Sequence, residues 1–164
     1  MKEYKTIVHP LEPIWSQSSK ILFLGTMPSP KSRDEAFYYA HPRNRFWPVL
    51  SILLGHEVND KEDKTKLLLS NNIAIWDVLK SCEISGAADS SIKNPVPNDI
   101  KYLIDNSEIE NIFTTGSTAY NLYNKLCADS TGIRAVKLPS TSPANAKMSL
   151  DELVKSYSVI LNYI

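Results

Sequence analysis

The chain has 164 residues, 43% hydrophobic and 22% charged, with 18 basic and 18 acidic side chains that cancel. That balance suits a single globular domain over residues 1–164 and argues against a protein that coats nucleic acid through bulk charge. No apolar run nears the roughly 18–20 residues of a bilayer span, and the first residues lack a signal-peptide core, so cytoplasmic residence is the default expectation.

In chain order, residues 20–25 form an apolar run ending in glycine, which predicts a buried strand leading into the turn Gly25-Thr26-Met27-Pro28. Residues 45–54 carry apolar side chains on a helical face, and Pro48 is tolerable there only in the first turn. A second helix is expected over residues 61–70 and a second strand over 73–77. Residues 80–97, rich in Ser, Gly, Ala, Asn and Pro, read as an extended surface loop. Asn98-Asp99 then caps a helix to about residue 105. A third strand covers 110–115, and a helix capped by Ser117 runs to about 127. A fourth strand covers 134–138, and a capping box at Ser149-Leu-Asp-Glu152 starts a last helix that runs to the end.

Four repeats of strand and helix predict an α/β protein with three layers, α/β/α, around a central, mainly parallel four-stranded sheet. In such sheets ligands bind beyond the carboxyl ends of the strands. Four stretches with chemical potential fall there. Glycine at 25 permits a tight turn and close approach of backbone N–H groups to a ligand, although a turn after a strand is also ordinary. In the segment from Tyr39 to Trp47, a tyrosine face suits stacking on an extruded base, and Arg43 and Arg45 suit flanking phosphates. Asn44 either binds water through its amide oxygen or caps the following helix, while Phe46 and Trp47 read as core. Asp77, at a strand's carboxyl end, either accepts a hydrogen bond from a base or caps a helix. The loop from Leu138 to Asn145 sets Ser140, Thr141 and Ser142 between prolines, a rigid polar turn able to bond phosphates or wedge into a duplex. Lys147 follows it as a further cation.

Taken in order, Gly25-Thr-Met-Pro28, Tyr39, Asn44-Arg-Phe-Trp47 and Pro139-Ser140 resemble the uracil-DNA glycosylase superfamily over nearly the whole chain. Two positions depart from its uracil- and mismatch-specific branches. Met27 stands where those place Asp or Asn and cannot activate water, and Leu138 stands where they place His or Asn. The chain is instead similar to the hypoxanthine-DNA glycosylases, in Gly-Thr-Met-Pro, His-Pro-Arg-Asn-Arg-Phe-Trp, Trp-Asp-Val-Leu, Asp-Ser-x-Ile and Leu-Pro-Ser-Thr-Ser-Pro-Ala. Thr115-Gly116 replaces the Asn-Gly with which many relatives end the third strand.

That resemblance implies a DNA glycosylase of base excision repair that releases hypoxanthine from deoxyinosine, with Asn44 as catalytic residue and no cofactor. Gly25, Thr26, Met27, Tyr39, Asp77 and Thr115 would hold the base. Arg43, Arg45, Ser140, Thr141, Ser142, Asn145 and Lys147 would contact DNA. Two cysteines (Cys82, Cys127) and three histidines (His9, His41, His56) show no metal-ligand spacing. The rival readings are uracil release from G·U pairs, a nucleotide- or DNA-binding module without catalysis, and a plain α/β scaffold. With no heptad pattern, a monomer is the simple expectation.

Overall fold

A computed structural model of the chain describes residues 2–164. Its elements are β1 (Lys5–Val8), β2 (Ile21–Gly25), α1 (Pro30–Glu35), α2 (Phe46–Leu54), α3 (Lys61–Ser70), β3 (Ile73–Asp77), β4 (Leu79–Ile84) and β5 (Lys93–Pro97). They continue with α4 (Ile100–Asp105), β6 (Asn111–Thr115), α5 (Ser117–Leu126), α6 (Ala128–Thr131), β7 (Ala135–Leu138) and α7 (Leu150–Tyr157).

The expected parallel sheet is present, four strands in the order β3-β2-β6-β7. Strand side chains alternate between faces, so each strand feeds two cores. Ile21, Phe23, Ile73, Ile75 and Phe113 pack on one face with α2, α3 and α7, through Phe46, Leu50, Leu68, Leu153 and Tyr157. Leu22, Leu24, Ala74 and Ile112 pack on the other with α4 and α5, through Ile100, Leu103, Ala119 and Tyr123. The three layers follow from that double-sided burial.

Register matters more to function than the layers do. Gly25 pairs with Asp77, and Thr115 with Leu138. The carboxyl ends of neighbouring strands therefore stop level, which brings Gly25, Asp77 and Thr115 to one edge.

Residues 80–97 depart from the expected loop. β4 pairs with β1 on one side and β5 on the other in a second, antiparallel sheet of three strands, order β1-β4-β5. The chain leaves β3 and enters β4 after Val78, whose N–H bonds the Gly25 carbonyl at 2.8 Å. Two register shifts in the β4–β5 pairing break the alternation, and Pro95 and Pro97 sit on an outer strand where a missing N–H is tolerated. Those features disguise the strands in the sequence.

Helix ends follow ordinary chemistry. Ser149 and Glu152 form the capping box of α7, which ends at Tyr157 in a 3-10 turn over Ser158–Asn162. Asp99 caps α4 through the Tyr102 N–H. Gly116, at φ +94, takes the cap position of α5, and Ser117 is its first residue. No helix is long and apolar enough to cross a membrane among the described residues.

Both cysteines are free and buried. Burial pushes the Cys127 thiol up to about 11 and raises that of Cys82. Thiolate is the reactive form, so iodoacetamide at neutral pH should modify neither in the folded protein and both after denaturation, as read by intact mass. Stoichiometric labelling of the native chain would contradict this packing.

Candidate active site

A cleft of about 730 Å³ opens at the carboxyl edge of the parallel sheet. Its floor is the level set Gly25, Asp77 and Thr115. A Cβ on Gly25 would lie 2.5 Å from Asp77 Oδ1, 3.0 Å from the Tyr39 hydroxyl and 3.6 Å from Thr115 Oγ1. Glycine is required there by close approach.

Tyr39 is held from several sides. The chain leaves α1 through Ala36 at φ +53, and Tyr39 itself sits at φ +49, both in the left-handed region that costs a non-glycine residue energy. Surrounding contacts hold the turn. Ser32 Oγ accepts the Ala40 N–H at 3.1 Å, the Tyr38 hydroxyl donates to the Glu12 carbonyl at 2.8 Å, and the Trp47 indole donates to the Tyr38 carbonyl at 2.9 Å. The Tyr39 ring stacks on Phe46 with centroids 4.1 Å apart and planes 18° from parallel. Its hydroxyl lies 2.9 Å from Thr115 Oγ1. Burial, then the negative charge of Asp77, pushes this phenol well above its ordinary value, so it is a neutral hydrogen-bonding group.

Asp77 does not cap a helix. Its Oδ2 lies 2.8 Å from His9 Nε2, with the two side chains only 6% and 2% exposed. The Leu11 N–H donates to His9 Nδ1 at 3.1 Å, so Nδ1 is the bare nitrogen and Nε2 carries the proton given to Asp77. His9 reaches the site from the chain's beginning, just after β1. Histidines without metal spacing gave the sequence reading no reason to place it there.

Asn44 lines the cleft, half-buried. Its Oδ1 accepts the Phe46 N–H at 2.9 Å at the start of α2, and its own N–H bonds the His41 carbonyl at 2.9 Å. That bond fixes the amide: the oxygen faces the helix and keeps one lone pair, while Nδ2 has no protein partner among the described residues. One side chain thus bonds the first N–H of α2 and lines the cleft, one residue before the cap position held by Arg45.

The second loop is tied to α2 by Arg45. Its guanidinium donates to the carbonyls of Met148 and of Asn145, the latter at 2.8 Å, while its backbone N–H bonds the Thr141 carbonyl at 3.0 Å. Thr141 is buried, Ser140 and Ser142 are half-buried on the cleft wall, and Asn145 Nδ2 bonds the Ser140 carbonyl at 2.9 Å. Arg43 and Lys147 are exposed and lie outside the cleft lining. Thr26 and Met27 line it, and Leu138 is buried in the core below.

Asp89, in the short turn before β5, also lines the cleft. Although the residue is exposed, the cleft walls raise its carboxyl by burial. A hydrogen bond from Thr26 opposes that rise and the charge of Asp77 adds to it. No three His, Cys, Asp or Glu side chains are grouped to hold a metal ion among the described residues.

The family model "Uracil DNA glycosylase superfamily" matches residues 13–161. A protein of Methanosarcina acetivorans named hypoxanthine DNA glycosylase is 30% identical over 138 residues, 83% of this chain and 87% of the relative. One of the same name from Methanosarcina barkeri is 32% identical over 95 residues, 57% of this chain and 60% of the relative. A solution NMR structure from Methanosarcina acetivorans, described as a candidate uracil DNA glycosylase, superposes with a TM-score of 0.79 at 27% identity. That match covers 96% of this chain and 99% of the other.

The close approach at Gly25 is measurable. Gly25→Ala forces the buried Asp77 carboxyl or the Tyr39 hydroxyl to move and should cost about 1–3 kcal/mol in urea unfolding, as overpacking does. A change of only a few tenths would contradict the contact.

Proposed function

The chain belongs to the uracil DNA glycosylase superfamily and is a DNA glycosylase; on that premise we propose that it releases hypoxanthine from deoxyinosine in base excision repair. One observation carries the substrate. The cleft offers an aromatic ring backed by Phe46, beside a buried carboxylate at the strand edge. A flat ring that presents a ring N–H, as hypoxanthine does at N1, suits both features. The names of the two relatives support the same base.

In the proposed mechanism the deoxyinosine is flipped from the duplex, at less cost than a matched base because it pairs poorly with thymine. The base stacks on the exposed face of Tyr39, which stacking in single-strand binders values at about 1–3 kcal/mol. Asp77 accepts its N1–H, and Thr115 holds the Tyr39 hydroxyl that borders the floor. Arg43 and Lys147 meet phosphates, and the Ser140–Ser142 wall presses on the strand, with Arg45 and Asn145 holding that loop in place. One domain, acting as a monomer, suffices for these contacts.

Chemistry then falls to Asn44. Its remaining oxygen lone pair and its unpartnered amide N–H₂ position a water at C1′. The water oxygen bonds C1′, the C1′–N9 bond breaks with its electrons leaving on the base, and one water proton ends on the hypoxanthine. An amide is a weak base, so positioning supplies much of the rate. The Asp77 charge favours the positive sugar and opposes negative charge on the base. Backbone donors at Thr26 and Met27 offset the second effect, and such donors are worth about 3–4 kcal/mol each in comparable sites.

Single-turnover cleavage of duplexes carrying inosine, uracil, xanthine or no lesion tests this reading. Inosine should be released by the wild type and not by Asn44→Ala, which should stay folded at a cost of about 1 kcal/mol for the lost bond to the Phe46 N–H. Preferential uracil release would move the substrate to the G·U reading. Inosine release that survives the substitution would reduce Asn44 to a structural partner of the first turn of α2.

A further inference from the structure

We propose that His9 sets the base selectivity of this cleft, by occupying one oxygen of Asp77 and leaving the other as the one acceptor that this carboxylate offers an incoming base. This rests on the reading of the cleft as a base pocket. His9 precedes residues 13–161, the part of the chain that the superfamily model matches, so the contact comes from outside the shared pattern.

The geometry fixes each role. His9 Nε2 donates to Asp77 Oδ2 at 2.8 Å, and its tautomer is held by the Leu11 N–H on Nδ1 at 3.1 Å. Asp77 Oδ1 receives no protein donor among the described residues and stands over Gly25, beside the Tyr39 hydroxyl. The pair is nearly dry, with side chains 2% and 6% exposed, so water does not readily replace a mismatched partner.

The consequence is a reading rule for purines. An unheld carboxylate is a two-oxygen acceptor, and guanine offers two adjacent donors, N1–H and the 2-amino group, that fit it. With the His9 ring set against Oδ2 at 2.8 Å, a second donor has no room to approach that oxygen, so the carboxylate satisfies only one donor and leaves the 2-amino group without it. Hypoxanthine has the N1–H and lacks the 2-amino group, so it is satisfied by Oδ1 alone. Adenine presents a lone pair at N1, which the carboxylate repels. Asp77 therefore turns away adenine, and His9 turns away guanine, the two purines that a repair enzyme must leave in DNA. An unpaired buried donor corresponds to about a ten- to hundredfold discrimination.

The test uses the full chain and duplexes in which inosine or guanosine lies opposite an abasic-site analogue, so that neither base has a pairing partner to lose. Single-turnover release is compared for the wild type, His9→Ala, His9→Leu and His9→Gln. The wild type should release hypoxanthine and spare guanine. Removal of the donor in His9→Ala should narrow the hypoxanthine-to-guanine ratio by about tenfold or more. His9→Leu, which fills the space without a donor, should do the same and serves if the alanine variant does not fold. The glutamine amide N–H reaches Oδ2 in place of Nε2, so His9→Gln should keep the wild-type ratio. Equal loss on both bases in the alanine and leucine variants, with the ratio unchanged, would make His9 a structural prop and overturn the proposal. A wild type that releases neither base would overturn the base-pocket reading itself, and this proposal with it.

Discussion

At the carboxyl end of β2 the chain has room for no side chain. The in-register pairing of Gly25 with Asp77 puts a carboxyl oxygen 2.5 Å from where a Cβ would stand, with the Tyr39 hydroxyl at 3.0 Å from the same point. Asp77, Tyr39 and Thr115 are arranged around that gap, and His9 behind Asp77. Any bulk there would push Asp77 from His9 or Tyr39 from Thr115. Both contacts are made by groups largely withdrawn from water, where an unmet polar atom costs most.

The same gap links segments far apart in the chain. His9 follows β1, Tyr39 follows α1, Asp77 ends β3 and Thr115 ends β6. The second sheet contributes by fixing the route: β1 lies along β4, which continues from β3, so His9 arrives beside the residue that ends β3. On the opposite wall Arg45 binds loop carbonyls 100 and more residues away, joining the start of α2, where Asn44 bonds the Phe46 N–H, to the serine-rich turn. The site is thus set by backbone register and internal hydrogen bonds. That rigidity is what positioning chemistry with a weak base requires.

Much of this was legible in the sequence. The apolar runs ending at Gly25, Asp77 and Thr115 carry plain periodicity, and Asp99 and the Ser149–Glu152 box announce their helices through standard capping. Phe46 and Trp47 were readable as core, and the buried 0% and 3% exposures agree. Asn44 was readable as cap or catalyst; the structure sets it one residue before the cap position, with its oxygen on the first N–H of α2. The antiparallel ribbon was not legible, because bulges and edge prolines erase alternation, although Cys82 and Ile84 keep a trace of it. His9 and Asp89 were missed for a different reason. A lone histidine and a lone aspartate in a polar stretch acquire meaning only through what the fold sets beside them.

The central claim is that the space beside Tyr39 and Asp77 receives the flipped base. A crystal structure with a duplex containing 2′-fluoro-2′-deoxyinosine, whose fluorine slows glycosidic cleavage, tests it most directly. The hypoxanthine ring should lie against Tyr39 with N1 at hydrogen-bond distance from Asp77 Oδ1. An inosine still stacked in the duplex, or a flipped base held elsewhere while that space stays empty, would contradict the account.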